Sequence, residues 1–219
     1  MTEPELDNRR PLKSRQLGWV GATAAMLART GITPNQISGA SMAFAALAAA
    51  LLGVAPLLGP GGRAACLIGA AACVQLRLLC NLFDGMVAVE HGLSSPTGAI
   101  WNELPDRISD LLFLAAAGHF ATASGWPVGI ALGWGAAALA ILTAYVRELG
   151  RAVGQPADFS GPMAKPQRMA VLTGACVLSA FEPLWGTSGL VMVAALALIA
   201  LGAALTTARR TATLARRLK

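Results

Sequence analysis

The sequence predicts an all-α protein that crosses a membrane several times. Hydrophobic residues make up 55% of the chain and charged residues only 13%, whereas a soluble domain carries roughly a quarter charged residues. Long charge-free stretches rich in Ala, Leu and Gly are separated by short Gly- and Pro-containing breaks. Lipid admits only helices or closed barrels, and the period-two alternation of barrel strands is almost lacking. We therefore exclude a soluble globular domain.

The apolar stretches predict six transmembrane helices, because about 20 helical residues cross the hydrocarbon core. An even number of spans places both termini on one side of the membrane. We expect one domain over residues 1–219, with an N-terminal segment (1–30), a six-helix core (31–208) and a basic tail (209–219). The predicted spans are residues 39–58, residues 63–90, two helices within 110–147 that are separated by a turn at 124–127, residues 169–181 extended from 165, and residues 187–208.

Basic residues lie mainly at the two ends of the chain. The 17 Lys and Arg exceed the 11 Asp and Glu, and under the six-span topology the outer loops carry only Arg63. Lys and Arg accumulate on the cytoplasmic side, so both termini are predicted to be cytoplasmic, in a membrane of the bacterial inner or plasma membrane type. The charges form no stripe, so nucleic acid is not an expected partner. Residues 12–29 suit either an interfacial amphipathic helix or a loosely ordered tail.

Polar side chains occupy the inner ends of the predicted second and third helices. Asn81 and Asp84 are three residues apart on one helix, while Asn102, Asp106 and Asp110 recur every fourth residue on the next, so each set shares one face. Carboxylate and carbonyl oxygens are the ligands that Mg²⁺ prefers. Two converging faces of this kind predict a divalent cation site.

Small residues and a proline shape the surroundings of this cluster. Gly85, Ala88 and Gly98 leave room for a nucleotide or phosphate to approach the backbone, although close helix packing in lipid also explains small residues. Pro105 lacks an N–H and is tolerated in the first helical turn. The third helix is therefore expected to begin near Asn102, which would cap it.

The spacing of these residues resembles the signature of the CDP-alcohol phosphotransferase family, Asp-x2-Asp-Gly-x2-Ala-Arg-x8-Gly-x3-Asp-x3-Asp. Every interval is kept. Asn81 and Asn102 stand where the family has aspartate, and Val89 stands where it has arginine. The segment Thr33-Pro34-Asn35 is similar to the lead-in of the family's first span. The positions that match are Asp84, Gly85, Ala88, Gly98 and Asp106.

The resemblance implies a membrane transferase that moves a substituted phosphate from a CDP-alcohol, often CDP-diacylglycerol, to an acceptor alcohol and releases CMP. It also implies a homodimer and one or two bound Mg²⁺ or Mn²⁺ ions, with Asp106 as the general base. The implied metal positions are Asn81, Asp84, Asn102 and Asp106. The implied nucleotide contacts are Asn35, Asn81, Asp84, Gly85, Ala88 and Gly98.

Several basic residues near the site have two interpretations. Arg147, Lys165 and Arg168 flank the inner loop between the fourth and fifth spans, where the resemblance implies binding of an acceptor or a lipid phosphate. Ordinary juxtamembrane charge also explains them. Arg77 lies one helical turn before Asn81 and either compensates for the missing arginine at position 89 or pairs with an acidic group.

Two other functions stay open. The two asparagines favour a catalytically impaired relative that binds CDP-lipid or assists another membrane enzyme. A small transporter would use buried charges along a pathway, but no pair of broken helices in corresponding halves of the chain supports it.

Overall fold

The computed structural model describes residues 18–90, 92 and 96–219, and within this part of the chain the regular elements are helices without a β-strand. Two short 3₁₀ helices, Ala55–Leu57 and Glu182–Trp185, follow the second and sixth α-helices. The α-helices are α1 (Gly18–Arg29), α2 (Pro34–Val54), α3 (Pro60–Glu90), α4 (Gly98–Ala123), α5 (Gly129–Ala152), α6 (Lys165–Phe181) and α7 (Leu190–Arg217).

Helices α2 to α7 correspond in order to the six predicted spans. Four segments are long and apolar enough to cross a membrane: residues 34–57, 60–89, 129–152 and 190–217. The protein is therefore an integral membrane protein. Helix α6 has 17 residues and α4 carries several charges in its first half, so their passage through the bilayer stays a prediction. Most of the basic tail predicted at 209–219 continues α7, which ends at Arg217.

A helix is present at the N-terminal end of the described chain. Helix α1 packs against α3 through Val20 and Ala24, which are fully buried. Its position at the membrane interface stays a prediction, and residues 1–17 lie outside the described residues.

The Thr-Pro-Asn lead-in has a local structural role as a helix start. The Thr33 hydroxyl accepts a hydrogen bond from the Gln36 N–H, and the Gln36 side chain accepts one from the Thr33 N–H, while Pro34 occupies the first turn. This reciprocal capping box satisfies two N–H groups that α2 would otherwise leave unpaired. The cap fixes where α2 enters the bundle.

The prediction that the third helix begins near Asn102 is wrong. Helix α4 begins at Gly98, after Thr97, whose side chain makes no capping hydrogen bond. Pro105 consequently lies inside the helix and is buried, and it has no N–H to donate to the carbonyl of Trp101. Asn102 is an exposed residue in the second turn instead of a cap. Packing of the buried face that starts at Pro105 outweighs the local preference of proline for a helix start.

The backbones of helices α4 and α5 approach each other closely because glycines line their contact. A Cβ atom on Gly118 would lie 2.6 Å from the carbonyl oxygen of Gly129, and one on Gly133 would lie 2.6 Å from the carbonyl oxygen of Leu114. Small residues at a lipid-embedded interface let backbones approach in this way. The contact fixes α5 against the helix that carries Asp106.

The loop between α5 and α6 is attached to α7. The Met163 N–H donates to the Thr206 hydroxyl at 3.0 Å, and Arg210 Nε donates to the carbonyl of Ser160 at 2.9 Å. Gly161 has φ +120°, and a Cβ there would lie 2.4 Å from the Thr206 methyl group. Glycine is therefore needed at this point for both its conformation and its size.

Candidate active site

Two aspartates on neighbouring helices converge at one end of the bundle. Asp84 on α3 and Asp106 on α4 are 5% and 7% exposed, and their carboxylates are close enough for their charges to interact. Lys165, the first residue of α6, lies within electrostatic range of both. Three helices thus bring two acids and a base to one point.

Asp84 is held by a hydroxyl from α2. The Ser38 hydroxyl donates to Oδ2 of Asp84 at 2.6 Å. The other carboxylate oxygen, Oδ1, is buried and has no side-chain hydrogen-bond partner in the described part of the chain. A buried carboxylate oxygen that no side chain contacts has a lone pair for an additional ligand.

Asp106 differs from Asp84 because cationic side chains occupy both of its oxygens. Arg77 Nη2 donates to Oδ1, and Lys165 Nζ donates to Oδ2. Arg107 approaches Oδ2 to 3.8 Å and makes a closer pair with Glu103 at 2.9 Å. Arg77 is fully buried, so of the two interpretations from sequence, the structure shows pairing with an acidic group.

The other residues of the signature line the same end of α3 and α4. Asn81, Gly85 and Ala88 are half-buried on α3, and Gly98 is half-buried at the start of α4. Asn35 at the start of α2 donates from Nδ2 to the Thr97 hydroxyl at 3.5 Å, which brings the lead-in to the beginning of α4.

The carboxylate oxygens of the two aspartates differ in how available they are to a divalent cation. Among the described residues, no three His, Cys, Asp or Glu side chains form a group that could hold a metal ion. Asp84 offers a buried oxygen without a side-chain partner, whereas both Asp106 oxygens are in ion pairs. Mg²⁺ is commonly held by one or two carboxylates together with water and substrate phosphate.

Arg168 lies behind the site and is buried, 1% exposed. Its Nη2 donates to Asp110 Oδ2 at 2.8 Å, and its Nη1 donates to the Met163 carbonyl at 3.0 Å and to the Thr143 hydroxyl at 3.2 Å. These contacts join α4, α5 and α6. Geometry of this kind suits a residue that positions its neighbours.

We expect Asp110→Leu to destabilise the protein by about 3–5 kcal/mol, because removing one partner leaves the Arg168 charge buried and uncompensated. The double variant Asp110→Leu/Arg168→Met should recover most of that loss, since an apolar pair can replace a buried ion pair. Thermal unfolding of the purified protein in detergent measures both effects. A double variant no more stable than the single one would contradict the paired role.

Arg147 lies closer to solvent in a cluster of charges. Its Nη2 is 2.6 Å from each carboxylate oxygen of Glu103, its Nε donates to Glu148 at 2.8 Å, and the guanidinium stacks over the Phe159 ring at 5.4 Å. A shallow cleft opens beside it, between α5, α7 and the loop of residues 153–164, and Arg210 also lines it.

Two residues of this region were not predicted from the sequence. Ser38 is one of two serines in the first half of α2, and nothing near it in the sequence indicates that its hydroxyl faces Asp84. Arg210 donates to the carbonyls of Ser160 and Thr143. Its place in the basic tail at 209–219 made it look like ordinary juxtamembrane charge.

Comparison with known proteins gives one curated relative. No family model matches the chain. The bifunctional IPC transferase and DIPP synthase of Rubrobacter xylanophilus is 36% identical over 149 residues, which is 65% of this chain and 30% of the relative. The chain therefore spans less than a third of the length of the curated relative it matches.

Solved structures of phosphatidylinositol phosphate synthase from Mycobacterium tuberculosis have the same fold. The structure with CDP-DAG bound aligns with a TM-score of 0.72 and 21% identity, covering 89% of this chain and 92% of that one. The structure in complex with manganese and citrate gives the same TM-score and identity, covering 89% and 88%. The chain thus shares the fold of this helical synthase.

The signature spacing, the curated relative and the fold agree with one another. The chain is thus similar in sequence to part of the curated relative and has the fold of the Mycobacterium tuberculosis synthase.

Proposed function

We propose that the protein is an enzyme of phospholipid biosynthesis that transfers a substituted phosphate from a CDP-alcohol to an acceptor alcohol and releases CMP. The observation that carries the proposal is the convergence of Asp84, Asp106 and Lys165 at one end of a membrane-embedded bundle. CDP-diacylglycerol is the favoured donor, because the Mycobacterium tuberculosis synthase of the same fold binds CDP-DAG.

In the proposed transfer, an acidic side chain accepts a proton and basic side chains balance the phosphate charges. Asp106 takes the proton of the acceptor hydroxyl, the hydroxyl oxygen forms a bond to the phosphorus next to the alcohol, and the bond from that phosphorus to the bridging oxygen breaks. CMP leaves with the electron pair of that bond. Arg77 and Lys165 balance the phosphate charges from their places on Asp106, whose remaining lone pairs can receive the acceptor's proton.

A divalent cation, Mg²⁺ or Mn²⁺, is part of the proposal. Asp84 would hold it, and when bound it would neutralise phosphate charge and stabilise the leaving CMP. The relative of known structure in complex with manganese supports a metal of this kind. Asn81 and Asn102 can offer only neutral carbonyl oxygens from the remaining two positions of the signature.

The substrates are placed around this centre by the remaining signature residues. The nucleotide is proposed to lie along Asn35, Asn81, Gly85, Ala88 and Gly98, where small side chains leave the backbone accessible. The acceptor is proposed to approach from the side of Arg147 and its cleft, with Lys165 between acceptor and donor. Arg168 acts by holding α6 in place.

The site is proposed to face the cytoplasm, with six spans, both termini on that side and a homodimer as the assembled form. The support is the distribution of basic residues, which crowd the same ends of α5 and α7 that lie beside the site. Membrane lipid then surrounds the apolar faces of the bundle.

A second function is favoured by one observation. Asp106 is in ion pairs through both oxygens, and the amides of the two asparagines bring no negative charge to a metal ion. A protein that binds CDP-lipid without turning it over, and assists another membrane enzyme, would fit this arrangement.

One assay separates the two functions. Purified protein in lipid nanodiscs, given labelled CDP-diacylglycerol, Mg²⁺ or Mn²⁺ and a panel of alcohols, is expected to release CMP only when the right acceptor is present. Binding of CDP-diacylglycerol with no CMP from any acceptor would support the non-catalytic function. Failure of both binding and release would contradict both.

A further inference from the structure

We propose that the site takes a single divalent cation, and that the side chains of Arg77 and Lys165 take the place of a second one on Asp106. This inference rests on the proposed function and specifies how its active site balances charge. The family resemblance allows one ion or two.

The two aspartates differ in the partners of their carboxylate oxygens. Asp84 has a hydroxyl on Oδ2 and a buried Oδ1 without a side-chain partner among the described residues. Asp106 has Arg77 on one oxygen and Lys165 on the other. A metal ion can therefore join Asp84 without displacing a charged group, but it can join Asp106 only by displacing a cation.

Arg77 is a buried and permanent part of the site. It is 0% exposed and reaches Asp106 from α3, one turn deeper than Asn81. Lys165 reaches the same carboxylate from α6, with a side chain that is 18% exposed. A guanidinium cannot lose its proton in a protein, so Arg77 is a permanent charge at this place.

The charges of the side chains, the diphosphate and one divalent ion balance. The two carboxylates are offset by Arg77 and Lys165, so the four side chains together are neutral. A CDP-alcohol brings about one negative charge on each of its two phosphates, as other phosphodiesters do. One divalent cation balances that diphosphate, whereas a second would add uncompensated positive charge beside two fixed cations.

The asparagines follow from the same balance. Asn81 and Asn102 stand at the two positions where carboxylates would have compensated a second ion. Asn102 is exposed on α4 and Asn81 is only half-buried, so neither is committed to a buried ion. Two neutral amides at these positions and two side-chain cations on Asp106 together give a site whose charge suits one divalent ion.

The test is the number of Mn²⁺ ions bound per chain, measured by electron paramagnetic resonance on the purified protein in detergent with CDP present. The wild type is expected to bind about one ion. Asp84→Asn should bind none, while Asp106→Asn should still bind one, because the Asp106 oxygens belong to the side-chain cations.

Lys165 variants provide a second measurement. Lys165→Met should weaken CDP binding by about tenfold, the loss of one charge-assisted contact, and saturating Mn²⁺ should not restore it. Lys165→Arg should restore most of it. Arg151→Met, an exposed cation on the same end of α5, serves as the matched control and should bind CDP as the wild type does.

Three results would overturn the inference: two Mn²⁺ per wild-type chain, no Mn²⁺ at all, or loss of the ion in Asp106→Asn. CMP release is measured separately. A protein that binds one Mn²⁺ with CDP but forms no CMP contradicts the proposed function and leaves the single-ion inference standing. CMP release by a protein that binds two ions supports the proposed function and contradicts the single-ion inference.

Discussion

Asp106→Asn is expected to lower CMP release by about 10²–10⁴-fold, the range that a general base contributes. The amide keeps the shape of the carboxylate but cannot accept the acceptor's proton. It also leaves Arg77 and Lys165 without the charge that orients them. The rate of CMP formation at saturating donor and acceptor is the quantity to measure.

The loss of activity has to be separated from a loss of fold, since Asp106 is buried in an ion pair. Thermal unfolding and CDP binding of Asp106→Asn provide that separation, because a folded variant that still binds CDP has lost only its chemistry. Glu148→Gln, which changes a carboxylate to an amide at the surface of the same region, should keep near wild-type rates. Wild-type rates in Asp106→Asn would show that another group takes the proton.

Gly133→Ala is expected to destabilise the protein, because the added methyl group would collide with the backbone of α4. The added methyl carbon would lie 2.6 Å from the Leu114 carbonyl oxygen and 2.8 Å from the Gly118 Cα. Both are backbone atoms of α4, so the helices must separate. Overpacking a tight core costs about 1–3 kcal/mol, and a forced shift of two backbones lies at the upper end of that range.

Gly135→Ala is the matched control because it lies on the same helix, two residues away, with nothing within 4 Å of the added carbon. It should be neutral or stabilising by up to about 1 kcal/mol, since alanine is the better helix former. Unfolding of the two variants in the same detergent gives the comparison. Equal stability would show that α4 and α5 separate at little cost.

The helices could be predicted because their signals are local. Charge-free stretches of sufficient length, turn residues between them, and a capping box at Thr33 are all readable within a few residues of each element. The start of α4 could not be predicted in this way. Pro105 is a local signal for a helix start, and the burial that overrides it depends on helices distant in sequence.

The two signature aspartates could be predicted as neighbours, but their partners could not. Spacing within one helix places residues on a face, whereas the pairs Arg77 with Asp106 and Arg168 with Asp110 join positions 29 and 58 residues apart. Such pairs depend on the rotation of each helix in the bundle. The assignments of Arg147, Lys165 and Arg168 to substrate therefore stay predictions, even though the partners of each are now known.

The attachment of the 153–164 loop to α7 has a consequence for how the bilayer acts on the reaction. Lys165 directly follows that loop, so its position relative to Asp106 depends on the tilt of α7. This helix exposes Leu198, Leu201 and Leu205, and hydrocarbon thickness acts on the tilt of such helices. Turnover should therefore vary with acyl-chain length even where the headgroups are identical.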